Sequence, residues 1–224
     1  MTSKHSLDIA IISLKEHITR RKNIMSQIKN QGHLSRVSDA INGKEMSAHE
    51  YFCSYKCEAS KINGRKFLTP SELGCFLSHK KVINEFLASK NDWLLVLEDD
   101  VNLINDLNKL TNKFENLDHN SIYILGGQDG LSSFKKVLFK NQRNGTKKII
   151  FGTHRWIYRT CCYLIHKKAA NNIFTLMNKY NFMADDWGFI LKKTDIERIY
   201  YEEYFAHPID ITDSVIETER KLAK

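Results

Sequence analysis

Residues 93–101 read WLLVLEDDV: five apolar residues that run straight into Glu98, Asp99 and Asp100. The apolar part does not alternate with polar residues, which is the pattern of a strand covered on both faces in a parallel or mixed sheet between helices. In open α/β sheets, ligands bind beyond the carboxyl ends of the strands. Three adjacent acids at such an end repel one another, and no basic residue stands beside them in the sequence. A hard divalent cation held by one or two carboxylates, with substrate phosphates in its other positions, removes that repulsion. The alternative is a turn in which Asp99 and Asp100 cap a helix and Glu98 faces solvent.

The residues around this stretch predict alternating strands and helices. Upstream, Thr69-Pro70-Ser71-Glu72 has a capping residue, a proline suited to the first helical position and a glutamate three after the cap. A helix is therefore expected through Leu73, Phe76, Leu77, Ile83 and Leu87. Residues 7–14 (LDIAIISL) read as a first strand, and residues 15–30 as the helix that follows. Residues 38–66 are polar, with turn signals at Asn42-Gly43 and Asn63-Gly64, and predict irregular loop with a short helix.

Downstream, a helix is expected over 105–117 and a strand over 121–125, stopped by Gly126-Gly127. A hairpin is expected from 137–139 and 148–151 across Asn144-Gly145, then a strand at 161–165. Helices over 167–180 and 185–192, a last strand over 196–201 and a polar, charged tail over 214–224 complete the chain. The expected fold is a mixed, mostly parallel α/β sheet flanked by helices, in a single domain.

The 224 residues, 42% hydrophobic with 10 Gly and 2 Pro, describe a packed globular chain. No apolar run approaches the roughly 18 residues that span a bilayer. The opening MTSKHSLD lacks the apolar middle of a secretory signal, so the expected location is cytoplasmic. The five cysteines fit reduced thiols, and Cys53-x-x-x-Cys57 has no second Cys/His pair at zinc spacing. A net charge of +8 suits polyanions, phosphorylated small molecules or an anionic membrane face. No basic run interleaved with aromatics points to nucleic acid, so no nucleic-acid partner is expected.

The segment LTPSELGCFLSHKKVINEF followed by WLLVLEDDV resembles the central signature of glycosyltransferase family 25, the lipopolysaccharide and lipooligosaccharide galactosyltransferases. In that family a Gly-Glu-Ile-Gly-Cys-x-x-Ser-His-like segment precedes a strand ending in Leu-Glu-Asp-Asp-Val. Ser71 replaces the common glycine and Leu73 the isoleucine, while Glu72, Gly74, Cys75, Ser78, His79, Glu98, Asp99 and Asp100 match. IISLKEHITRR is similar to the family's opening strand and arginine-bearing turn. GTHRWIYRTCCYLIHKKAANNIF is similar to a later segment, with His166 where serine is usual, and MADDWGF to the late acidic motif.

The resemblance implies a GT-A-like fold that binds a UDP-sugar through Mn²⁺ or Mg²⁺ and transfers a hexose, galactose above all, with inversion to a lipooligosaccharide core acceptor. Asp100 and Glu98 would hold the metal, with His207 returning as a third ligand. Ser13 and Leu14 at the first strand's end, together with Arg20, Arg21, Ser78, His79, Glu98, Asp99 and Asp129, would meet the donor. Inversion needs a carboxylate to take the acceptor proton. Asp186 is the preferred candidate and Asp185 the other, although one of them also suits a helix cap. His79 can equally be a satisfied core histidine, and Glu72 a capping residue. With a positive surface, the enzyme would sit peripherally at the inner face of an anionic membrane. A metal-dependent phosphohydrolase and an inactive nucleotide-sugar-binding module are the competing functions.

Overall fold

A computed structural model describes residues 5–57, 66–208 and 215–222; the expected turn at Asn63-Gly64 lies outside them. Nine strands form one sheet: β1 (Leu7–Ser13), β2 (Arg36–Asp39), β3 (Trp93–Glu98), β4 (Asn102–Leu103), β5 (Ser121–Gly126), β6 (Phe139–Asn141), β7 (Lys147–Ile149), β8 (Cys162–His166) and β9 (Arg198–Ala206). Their order is β2-β1-β3-β8-β5-β9-β7-β6, with β4 paired to β9. β1 runs parallel to both β2 and β3, and β5 parallel to β9. β8 lies antiparallel between β3 and β5, so β1, β2, β3, β5 and β9 all point the same way. The carboxyl ends of these strands therefore open on one edge.

The lack of alternation in β3 has a direct cause. Leu94 and Val96 point into one apolar core, which they share with Phe76, Val82 and Phe86 of a long helix (Pro70–Leu87). Trp93, Leu95 and Leu97 point into a second, shared with Ile24, Ile28, Leu110 and Phe114 on the opposite face. All five are fully buried, and each such side chain contributes about 1.5–3 kcal/mol.

The helices are α1 (Ile18–Asn30), α2 (Ala48–Ser54), α3 (Pro70–Leu87), α4 (Leu107–Thr111), α5 (Lys167–Lys179), α6 (Trp187–Lys193) and α7 (Val215–Leu222). α3 starts as its sequence predicts: Thr69 Oγ1 accepts from the Glu72 amide, and Glu72 Oε2 accepts from the Thr69 amide at 2.8 Å. The other Glu72 oxygen accepts from Arg220 Nε at 2.8 Å, while the amide and hydroxyl of Ser71 donate to Glu219. The stretch expected as a polar tail therefore contains a helix, α7, clamped on the N-terminus of α3.

Three other elements depart from the expected pattern. The segment expected as loop from residue 38 begins inside β2, whose short run is held by pairing with β1 rather than by its own apolar pattern. The helix expected over 105–117 is only α4 followed by a 3₁₀ turn at Phe114–Asn116, with Asp106 as its cap. The last strand runs on to Ala206 because Asn102 and Leu103 pair with Ala206 and Phe205.

His166 ends β8 and caps α5, accepting from the Lys168 amide at 3.2 Å. Its ring stacks on His119 with centroids 3.8 Å apart. Burial, then the neighbouring His119, pushes its pKa down to about 4, against roughly 6.5 in an unfolded chain. The unfolded state thus binds the proton more readily, so stability falls as pH drops from about 6.5 toward 4. Urea midpoints should decline across that window. His166→Asn keeps a capping acceptor without a titrating ring and should flatten the decline; an unchanged slope would remove His166 as its source.

Candidate active site

The acidic triplet ends β3 beside β1, since Ile12 stands opposite Glu98. This register places Ser13 against Asp99: Ser13 Oγ donates to Asp99 Oδ2 at 2.6 Å, and His17 Nδ1 lies 3.2 Å from the same oxygen. Asp99 is 8% exposed. Burial raises its pKa, and Ser13 and His17 oppose that rise. Glu98 turns the other way, toward α3. Its Oε1 accepts from Thr160 Oγ1 at 3.0 Å and lies 3.5 Å from His79 Nε2. Asp100 turns in a third direction, its Oδ2 3.3 Å from His207 Nε2 just past β9. The repulsion is relieved by divergence, each acid meeting its own partners.

The Asp100–His207 pair has unusual chemistry. His207 Nδ1 is 2.7 Å from the carbonyl oxygen of Pro208, to which it can only donate. In a neutral ring, Nε2 would then face Asp100 as acceptor against acceptor, an arrangement that calls for a proton or a cation between them. Among the described residues, Asp100 Oδ1 is buried without a hydrogen-bond partner, an orphan of the kind a metal satisfies. Burial alone would raise the Asp100 pKa, but His207 and Arg20 hold it below the usual range. Burial lowers that of His207, and Asp100 more than restores it.

A chain of contacts runs from this pair to the late acidic motif. Asp129 Oδ2 accepts from the His207 amide at 2.8 Å. The Arg159 guanidinium donates to the carbonyls of Gly127 (2.8 Å) and Asp129 (3.1 Å), and the Arg159 amide donates to Asp185 Oδ2 at 3.1 Å. Arg159 has a φ of 65°, the positive-φ non-glycine residue among those described. Such strain persists only where surroundings enforce it, and it clusters at functional sites. Gly126 and Gly127 allow close approach here: a Cβ on Gly127 would lie 2.1 Å from Cys161 Sγ.

The other expected site residues fall as follows. Arg20 is exposed on the first turn of α1, within electrostatic reach of Asp100. Arg21 pairs with Asp39 at 3.8 Å and donates to the Lys15 carbonyl. The Leu14 carbonyl accepts from the His17 amide, closing the turn after β1. The Ser78 hydroxyl donates to Gly74 O and accepts from the Ile41 amide, which ties α3 to the segment after β2. His79 is 2% exposed, with Nδ1 3.1 Å from Tyr163 Oη. Asp186 is the N-cap of α6, accepting from the Phe189 amide at 3.0 Å; it is buried, whereas Asp185 is half-buried. His17, Arg159 and Thr160 were not singled out in the sequence. The only local signal for them is their place within segments already marked, at a strand's end or beside a Gly-Gly turn.

A sheet in which β1, β2, β3, β5 and β9 share one direction, with the reversed β8 between β3 and β5 and acids at the shared carboxyl edge, is a GT-A-like arrangement, and the chain is a glycosyltransferase. It belongs to glycosyltransferase family 25 (LPS biosynthesis protein), whose model matches residues 7–187. No curated protein matches it. Among solved structures, it is similar to 4-diphosphocytidyl-2C-methyl-D-erythritol synthase from Anaerococcus prevotii DSM 20548, with 10% identity, 99% of this chain and 100% of that one covered, and a TM-score of 0.50. It is also similar to galactosyltransferase LgtC in complex with donor and acceptor sugar analogs (11% identity, 96% and 95% covered, TM-score 0.45). A third is a glycosyltransferase involved in glycosylation of the major capsid of PBCV-1 (11%, 96% and 99%, 0.44). Among the described residues, no helix is long and apolar enough to cross a membrane.

Proposed function

We propose that this chain transfers a hexose from a UDP-sugar to a lipooligosaccharide core acceptor with inversion, assisted by Mn²⁺ or Mg²⁺. Galactose is the sugar that the family resemblance suggests. What supports the metal reading is the Asp100–His207 pair, a carboxylate and an imidazole 3.3 Å apart that call for a proton or a cation between them, with an Asp100 oxygen beside them that lacks a hydrogen-bond partner among the described residues. These residues suit a hard or borderline divalent cation. When bound, that cation would neutralise the charge that develops on the leaving diphosphate.

Glu98, the other expected ligand, turns away from Asp100 toward Thr160 and His79, so we place this cation on Asp100 and His207. Asp99 holds the β3 loop to β1 through Ser13 and His17, and Asp129 fixes the backbone that presents His207. Arg20 adds positive charge on the diphosphate side.

For the base we favour Asp185 over Asp186. Asp186 is occupied as the α6 cap, while Asp185 lies at the end of the contact chain that leads through Arg159 and Asp129 to His207. The Asp185 carboxylate would take the acceptor hydroxyl's proton as the new bond forms. The net charge of +8 suits peripheral approach to an anionic membrane face carrying a phosphorylated acceptor; liposome binding unchanged by salt would count against this.

The test is UDP release from a panel of UDP-sugars, with Mn²⁺ or with chelator, in the presence of truncated lipooligosaccharide. Metal-dependent, acceptor-dependent release from one donor supports the reading. Inorganic phosphate as the product would turn it to a phosphohydrolase. No release, together with no metal-dependent UDP binding by calorimetry, would leave a binding module or less.

A further inference from the structure

A second cluster lies behind the acidic triplet, on the side of β3 covered by α3. Cys75 Sγ, a ring nitrogen of His79 and a carboxylate oxygen of Glu98 all lie within 4.8 Å of one another. Cys75 and His79 are four apart on α3, a spacing that stacks two side chains on one helix face, and Glu98 comes from the end of β3. We propose that these three residues bind a zinc ion, distinct from the exchangeable cation on Asp100 and His207.

The chemistry of the set is specific. A thiolate, a carboxylate and a neutral imidazole carry two negative charges, so Zn²⁺ makes the complex neutral, which lowers the cost of burying it. His79 is 2% exposed, and isolated charge is poorly tolerated there. The outer partners also fit. With zinc on Nε2, the His79 Nδ1–H donates to Tyr163 Oη at 3.1 Å, which fixes the tautomer and the ring orientation. Thr160 Oγ1 orients Glu98 by donating to Oε1 at 3.0 Å. The three side chains leave the fourth tetrahedral position to a ligand from outside the set.

The Cys75 thiolate, which the Asp100–His207 site lacks, selects zinc, whereas carboxylate, water and phosphate oxygens suit manganese or magnesium. The two sites therefore sort metals by softness. The zinc joins α3 to the residue immediately before Asp99 and Asp100, so its role is to hold the loop that presents them. It is a positioning site, and no reacting atom needs to touch it.

The experiment measures metal content rather than turnover, so it stands or falls separately from the sugar transfer. Full-length protein is expressed with both zinc and manganese supplied, dialysed against a weak chelator, and analysed by mass spectrometry of the elements. Close to one zinc per chain is expected in the wild type and in Asp100→Asn, against less than a tenth in Cys75→Ala. Exchange of the wild-type metal for Co²⁺ should give a near-ultraviolet thiolate-to-cobalt band, a readout that depends on no variant folding. Zinc below a tenth of an equivalent in the wild type with no such band, or zinc retained in folded Cys75→Ala, overturns the site.

Discussion

Asp100→Asn should lower metal-dependent transfer by roughly a thousandfold while leaving the fold intact. A metal that stabilises transition-state charge supplies several kcal/mol, and about 4 kcal/mol corresponds to three decades of rate. The substitution removes the charged ligand and keeps the side chain's shape. Asp100 Oδ2 lies 3.3 Å from His207 Nε2, where an asparagine oxygen can still accept, so the fold keeps that contact while the charge is lost. The measurement is kcat/KM for the UDP-sugar over a range of Mn²⁺, with the thermal midpoint recorded in parallel. Activity kept within about tenfold of wild type, at an unchanged manganese requirement, would remove Asp100 from the metal site. His207→Ala should show a smaller loss and a raised manganese requirement, since a neutral ligand contributes less to holding a dication.

Gly74→Ala should destabilise the protein by about 1–3 kcal/mol, the cost of forcing extra volume into a packed interior. The sign is the informative part. Inside an exposed helix the same change would stabilise by roughly 1 kcal/mol, because alanine forms helix better than glycine. At Gly74 an added Cβ would lie 2.5 Å from the Ile41 carbonyl oxygen and 2.7 Å from the Gly43 amide nitrogen. Both are backbone atoms, so no side chain can swing aside. Gly43 is equally crowded, its Cβ position falling 1.7 Å from the Pro70 carbonyl oxygen. The start of α3 and the turn after β2 thus approach so closely that each needs glycine where they meet. Urea titration of Gly74→Ala against wild type settles the sign, and a rise in stability would mean that the two segments separate at little cost.

The family's glycine at this place has a mechanical meaning that its sequence context only hints at. Asn42-Gly43 was legible as a turn, and Gly74 as part of a helix with an ideal start. That the two glycines exist for one another follows only when α3 is laid across the loop. The same holds for Glu72. Its capping role can be read from Thr69 three residues before it, whereas its ion pair with Arg220 joins residues 148 apart.

Sequence alone determined what depends on neighbours along the chain: the buried strand ending in acids, the capping box of α3, the hairpin across Asn144-Gly145 and the alternation of strands with helices. Those features arise from local backbone preference and from the period of apolar residues. Tertiary structure decided how Glu98, Asp99 and Asp100 divide, since their partners Thr160, Ser13 and His207 come from three distant segments brought in by strand register. It also decided that β9 runs far enough to deliver His207, because β4 extends its pairing. Side-chain direction at a strand end is set by whichever hydrogen-bond donor or cation lies within about 3 Å, and no sequence period encodes that.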